Sequence, residues 1–118
     1  MKRTARWLAV AALAAPAPAA ADTAVLQALD KILGRTSEVV AEVGETIKFG
    51  TLDITVRACR KRPPEEPPES AAFLEIDDQR PGEDKRRVFT GWMFASSPAV
   101  SAMEHPVFDV WVKDCRKG

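Results

Sequence analysis

Two neighbouring stretches, Val88-Phe-Thr-Gly-Trp-Met-Phe-Ala-Ser-Ser-Pro98 and His105-Pro-Val-Phe-Asp-Val-Trp-Val-Lys-Asp-Cys115, hold two of the three tryptophans, the only histidine and one of the two cysteines. Their patterning decides the fold. Val107 to Asp114 alternates Phe108, Val110 and Val112 with Asp109, Trp111 and Lys113, the two-residue period of a half-buried strand. Val88 to Ala95 is apolar on both parities, with Val88, Trp92 and Phe94 on one and Phe89 and Met93 on the other. That pattern predicts a strand covered on both faces and central in its sheet. Between them, Ser97-Pro98 reads as a helix start with proline in the first turn. Ala99 to Met103 then forms one or two turns, which Pro106 ends.

Working outward, Leu52, Ile54, Val56 and Ala58 alternate with Asp53, Thr55, Arg57 and Cys59, the cleanest strand signal in the chain. Val39, Ala41 and Val43 alternate before a turn at Gly44, and Ile47 and Phe49 flank Lys48 before a second turn at Gly50-Thr51. Ala71 to Ile76 resumes as a strand. Arg60 to Glu69 has four prolines in six positions, which excludes a helix interior or a paired central strand and predicts an extended surface excursion. Asp77 to Arg87, charged and carrying Pro81-Gly82, reads as a solvated loop. Thr23 to Gly34 supports two readings. Val25, Leu26, Leu29, Ile32 and Leu33 recur at helical spacing, while Ala24 to Leu29 also suits an edge strand that turns at Asp30-Lys31 and Gly34. The pieces assemble into one small, all-β, mainly antiparallel domain of about six or seven strands, a sandwich or partly open barrel, with one short helix.

The N-terminus has a separate logic. Lys2, Arg3 and Arg6 precede the apolar run Trp7 to Ala15, and Ala19-Ala20-Ala21 supplies small residues of the kind signal peptidase accepts. This is the layout of a secretory signal peptide, residues 1–21, cleaved before Asp22 to leave a domain at 22–118. The run is about half the roughly 20 residues a spanning helix requires, so no membrane span is expected after cleavage. The expected location is the periplasm. Without the leader, 14 basic residues face 17 acidic ones. A net charge of about minus three offers no basic face for nucleic acid.

Cys59 and Cys115 are the whole cysteine supply, and an exported chain meets an oxidising compartment, so they are expected to pair. On an unbroken pleat Cys59 shares parity with Asp53 and Arg57, and Cys115 shares parity with Asp109 and Lys113. The bridge should then staple strand ends on the outer side of the sheet. Two cysteines and one histidine make no metal quorum, and there is no Cys-x-x-Cys pair. No cofactor is expected.

His105, beside Glu104 and ahead of Pro106, is read as a turn-closing hydrogen-bonding residue. Ser97, His105, Glu104 and Asp109 are the only set from which a hydrolytic site could be drawn, and no Gly-x-Ser-x-Gly elbow accompanies them. Trp92 and Trp111 read as core or half-buried sheet aromatics; a platform for a sugar ring or a partner is their alternative role, favoured at Trp111 by the polar parity of its strand. The proline-rich strip with Glu65 and Glu66 suits docking, because a stiff segment loses little entropy on binding.

The succession Leu29-Asp-Lys31, Val43-Gly-Glu-Thr-Ile-Lys-Phe-Gly-Thr-Leu52, Arg57-Ala-Cys-Arg-Lys-Arg-Pro-Pro-Glu-Glu66, Ala72-Phe-Leu-Glu-Ile76, Gly91-Trp-Met-Phe-Ala-Ser-Ser-Pro98 and Glu104-His-Pro-Val-Phe-Asp-Val-Trp-Val112 resembles an uncharacterised family of exported bacterial proteins, domain of unknown function 2155. The resemblance covers nearly the whole domain. It implies an envelope protein of Gram-negative bacteria with cysteines at these two places and no assigned activity, and it implies a strand and turn for Leu29-Asp-Lys31. Ile32-Leu33 departs from the family's more polar turn. The function expected is a non-enzymatic module that binds an envelope protein or a cell-wall glycan through Trp111, Arg57, Glu65, Glu66 and the loop near His105. The alternative is a small cell-wall-acting hydrolase built on His105.

Overall fold

The computed structural model describes residues 19–98 and 103–117. Nine antiparallel strands follow in order: β1 (Ala19–Ala20), β2 (Thr23–Asp30), β3 (Arg35–Glu42), β4 (Thr46–Phe49), β5 (Leu52–Lys61), β6 (Ser70–Asp78), β7 (Arg86–Phe94), β8 (Met103–Glu104) and β9 (Phe108–Arg116). Seven are strands of substance, and β1 and β8 are two-residue pieces. The first sheet runs β1-β5-β6-β7, with β4 also paired to β5, and the second runs β3-β2-β9-β8. The inner faces share one core, to which Leu52, Ile54, Leu74, Ile76 and Met93 come from the first sheet and Leu26, Val110 and Val112 from the second. The domain is an antiparallel sandwich, as the alternation in β5 and β9 requires.

Thr23 to Asp30 is a strand, and it is central, between β3 and β9. Its helical spacing arises because Ala24, Leu26 and Ala28 face the core while Val25 is buried as well. The expected edge strand is thereby corrected. The expected helix at Ala99 to Met103 falls mostly on residues 99–102, outside the described residues. Met103 itself lies in β8, opposite Val110, and no helix occurs among the described residues. Just before this segment, the Ser96 backbone N–H and hydroxyl both bond the Glu69 carboxylate. The proline-rich excursion is a closed loop rather than an extended one. Arg62 N–H donates to Glu69 C=O at 3.0 Å, and Glu66 N–H donates to Pro63 C=O at 3.0 Å.

β7 also departs from the expectation. It closes the first sheet at its β6 side and pairs with no strand beyond β6 among the described residues. Its two apolar parities do not mean cover on both sides. Met93 is buried in the core, whereas Trp92 and Phe94 point outward, 38% and 41% exposed.

The disulfide departs from the expectation as well. In β5 the pairing passes from Val56 opposite Leu74 to Ala58 opposite Phe73, leaving Arg57 as an extra residue. In β9 it passes from Val112 to Asp114 against consecutive residues of β2, leaving Lys113 extra. Each bulge shifts the alternation by one residue. Cys59 and Cys115 therefore turn inward, 2% and 0% exposed, and their bridge joins β5 of one sheet to β9 of the other across 5.7 Å between Cα atoms. The expected placement on the outer side is overturned, because regular pleating fails one turn of the strand before each cysteine.

Gly50, in the β4–β5 turn, has φ +59, and a Cβ there would meet the Phe108 ring, 2.9 Å from Cε1 and closer still to Cζ. Gly50→Ala therefore combines left-handed strain with a clash against a ring that packs edge-on to Phe49. A loss of about 2 to 4 kcal/mol is expected from urea unfolding. An unchanged midpoint would show that the Phe108 ring yields without cost.

Candidate functional site

The five residues singled out in the sequence do not converge. Trp111 is half-buried on β9, opposite Gln27. Arg57 is exposed on the outer face of the first sheet, where its Nε donates to Glu75 Oε1 at 2.6 Å, and Arg87 grips Glu75 and Asp77 in turn. Glu75 is held below the usual carboxylate range, first by its hydrogen bond from Arg57, with burial opposing. Glu65 and Glu66 are exposed in the loop between β5 and β6.

His105 is buried. Its Nδ1 accepts from the backbone N–H groups of Val107 at 3.0 Å and Phe108 at 3.3 Å. Two donors on one nitrogen leave the ring hydrogen on Nε2, so His105 is neutral and donates to Asp78 Oδ2 at 2.8 Å. The Asp78 carboxylate, 2% exposed, also accepts from Thr51 Oγ1 at 2.5 Å and from Arg80 Nε at 3.0 Å. Burial acts to raise its pKa, but the hydrogen bonds from Thr51, His105 and Arg80 outweigh it and hold the carboxyl below the usual range. The cluster ties the turn before β9 to the end of β6 and to the β4–β5 turn. His105 thus closes a turn, as expected from the sequence. Both of its nitrogens are engaged away from Ser97, and Asp109 pairs with Lys31 Nζ at 3.0 Å. Among the described residues no three histidine, cysteine or carboxylate side chains stand together as a metal set.

A different group converges. On the outer face of the first sheet, register aligns Ala58, Phe73 and Trp92 in one row across β5, β6 and β7, and Arg60, Ala71 and Phe94 in the next. Phe73 meets Trp92 edge to face at 5.5 Å between ring centroids. Beside them, Phe94 and Ala71 form the apolar wall of a cleft of about 220 Å³ completed by Arg60, Lys61, Arg62 and Glu69. Glu69 is kept below the usual carboxylate range chiefly by its hydrogen bond from Ser96, with burial opposing, so it stays ionised and tied to the backbone of Ser70 and Ser96. Lys61 pairs with Asp114, the charge of Arg62 helps to lower the Glu69 carboxyl, and Arg60 enters no ion pair among the described residues. In the sequence, Trp92 reads as part of a strand covered on both faces, with a stacking platform only as its alternative role. Its outward turn follows from the edge position of β7, which strand order sets and the sequence of the strand does not show.

No helix among the described residues is long and apolar enough to cross a membrane. No solved structure matches the chain. An uncharacterized protein of Rickettsia prowazekii (strain Madrid E) is 32% identical over 88 residues, covering 75% of this chain and 57% of that protein. The chain thus spans little more than half the length of the curated relative it matches. Residues 24–115, which run from the start of β2 to Cys115, match the family model described as "Uncharacterized protein conserved in bacteria (DUF2155)", and the chain belongs to that family.

Proposed function

We propose that the protein is a non-enzymatic binding module of the bacterial envelope, exported to the periplasm, which engages its partner through the outer face of the first sheet around Trp92 and Phe94. The observation that carries this reading is the exposure of two large aromatic side chains, side by side on one strand face, in a domain whose other aromatics are at least half buried. Large exposed apolar groups clustered on one face mark interaction surfaces more often than scattered ones do. Export is supported by the basic, apolar and small-residue succession of the first 21 residues and by the pairing of the only two cysteines. A non-enzymatic role is supported by the engagement of both His105 nitrogens in holding the turn before β9.

The test uses a photoreactive benzoylphenylalanine in place of Thr90, which shares this face, and in place of Glu38 in β3 on the other sheet. Illumination of cells should give an adduct from position 90 and none from position 38. Trp92→Ala should abolish the adduct while lowering stability by about 1 to 3 kcal/mol, the edge-to-face contact with Phe73 plus the part of the ring that is buried, which leaves the domain folded. An adduct from position 90 that survives Trp92→Ala would refute the face.

A further inference from the structure

Resting on that binding face, we infer that its ligand is an acidic saccharide, its ring faces stacked on Trp92 and Phe94 and its carboxylate or phosphate held by Arg60 and Arg62. The argument begins with position. Arg60 on β5 lies two strands from β7, in the row Arg60, Ala71, Phe94. At roughly 4.8 Å between strands, a peptide added alongside β7 would stand about three strand spacings from Arg60 and leave the cations unused. A ligand that meets both the aromatics and the arginines must lie across the strands, on the face of the sheet. There the backbone offers nothing, since its N–H and C=O groups lie in the plane of the sheet. Recognition must come from side chains alone, which here are aromatic rings and guanidinium groups.

The chemistry of those side chains is specific. Trp92 and Phe94 are two residues apart on one strand, so their rings stand roughly 7 Å apart along β7. An aromatic face accepts the apolar C–H face of a sugar ring. Guanidinium groups give the planar, paired donors that suit a carboxylate or phosphate. Glu69, whose carboxylate is hydrogen-bonded to Ser70 and Ser96, forms the remaining acidic wall of the cleft and is felt electrostatically by Arg62, which leaves Arg60 as the cation that no carboxylate of the cleft engages in an ion pair. Size fits as well. The cleft of about 220 Å³ is smaller than the roughly 300 to 1,000 Å³ of sites that enclose a whole drug-sized molecule. It admits one substituted ring and leaves the next on the open face over Trp92.

The test is titration of the 15N-labelled protein, followed by amide shifts, with four probes. These are a soluble disaccharide carrying the lactyl carboxylate of muramic acid, a glucosamine disaccharide carrying phosphate, the uncharged N-acetylglucosamine disaccharide, and hexaglutamate. At least one acidic saccharide should shift the amides of Trp92, Phe94, Ala71 and Arg60, and the uncharged disaccharide should bind at least fivefold more weakly. The carboxylate and phosphate probes separate cell-wall from lipopolysaccharide sources. Arg60→Ala with Arg62→Ala, and separately Trp92→Ala, should each weaken the acidic saccharide at least tenfold with the fold retained. Equal binding of the uncharged disaccharide, shifts confined to other surfaces, or no saccharide binding at all would overturn the inference. Hexaglutamate acting at the same residues while saccharides fail would remove the ligand class and keep the face. The face itself falls only if the position 90 adduct is indifferent to Trp92.

Discussion

Replacing Cys59 and Cys115 together by alanine is expected to lower the unfolding free energy by about 4 kcal/mol. The bridge closes a loop across 56 residues of sequence, and a loop of that size restricts the unfolded chain by an amount of this order. Marginal domains hold only about 5 to 15 kcal/mol in all, so the variant should be partly unfolded under mild denaturant. The effect is larger than for a surface staple because the cysteines lie in the core between sheets, with Cys59 opposite Ala72, and their removal also empties packed volume. Urea unfolding of the oxidised protein against the double variant measures it. A difference below about 1 kcal/mol would mean that the sheets are held by packing alone.

The second large effect is at Asp78. Asp78→Ala strips the buried Nε2–H of His105 and the hydroxyl of Thr51 of their acceptor, and a loss of about 3 to 5 kcal/mol is expected. Asp78→Asn should cost less. An amide can turn its oxygen to His105 and Arg80 and its NH2 to Thr51, whose hydroxyl accepts as readily as it donates. The ordering of the two variants separates hydrogen bonding from volume: equal losses would refute the cluster.

Acid provides an independent check. The Asp78 carboxyl titrates below its ordinary value of about 3.8 in the folded protein, and Asp114, desolvated but bonded by Lys61 and the Cys115 N–H, is lowered too. A depressed carboxylate contributes stability that is fully present above the unfolded value and is lost as pH falls through the folded one. Stability should be level with respect to these groups from pH 7 to about 5, then fall below about 4. In Asp78→Asn the fall should be shallower.

The sequence disclosed strands wherever one face met the core and the other met water. β5 and β9 showed their alternation plainly, and the glycines at 44 and 50 marked real turns, both with positive φ. What it concealed were features set by neighbours. Nothing in Val88 to Ala95 distinguishes a strand covered twice from an edge strand with aromatics turned outward, because the apolar content is the same and only the strand order differs. Thr23 to Asp30 looked helical because it is a central strand, flanked by β3 and β9, in which Thr23 and Val25 are buried as well as the inward Ala24, Leu26 and Ala28. His105 was readable as a turn residue from Pro106 beside it, but Asp78, its partner 27 residues away, was one acid among many in a charged loop. The candidate face was missed for the same reason: Arg60, Phe94 and Trp92 come together only through register.

The paired bulges at Arg57 and Lys113 also bear on the alignment of the two sheets. Leu52, Ile54, Val56 and Cys59 on β5 match Phe108, Val110, Val112 and Cys115 on β9 residue for residue in spacing, each inward series skipping once before its cysteine. Were either extra residue accommodated in a regular pleat, that strand's sulfur would point away from its partner. Closure of the bridge therefore requires both strands to have reached this register, and the disulfide is a covalent record of the alignment of the two sheets.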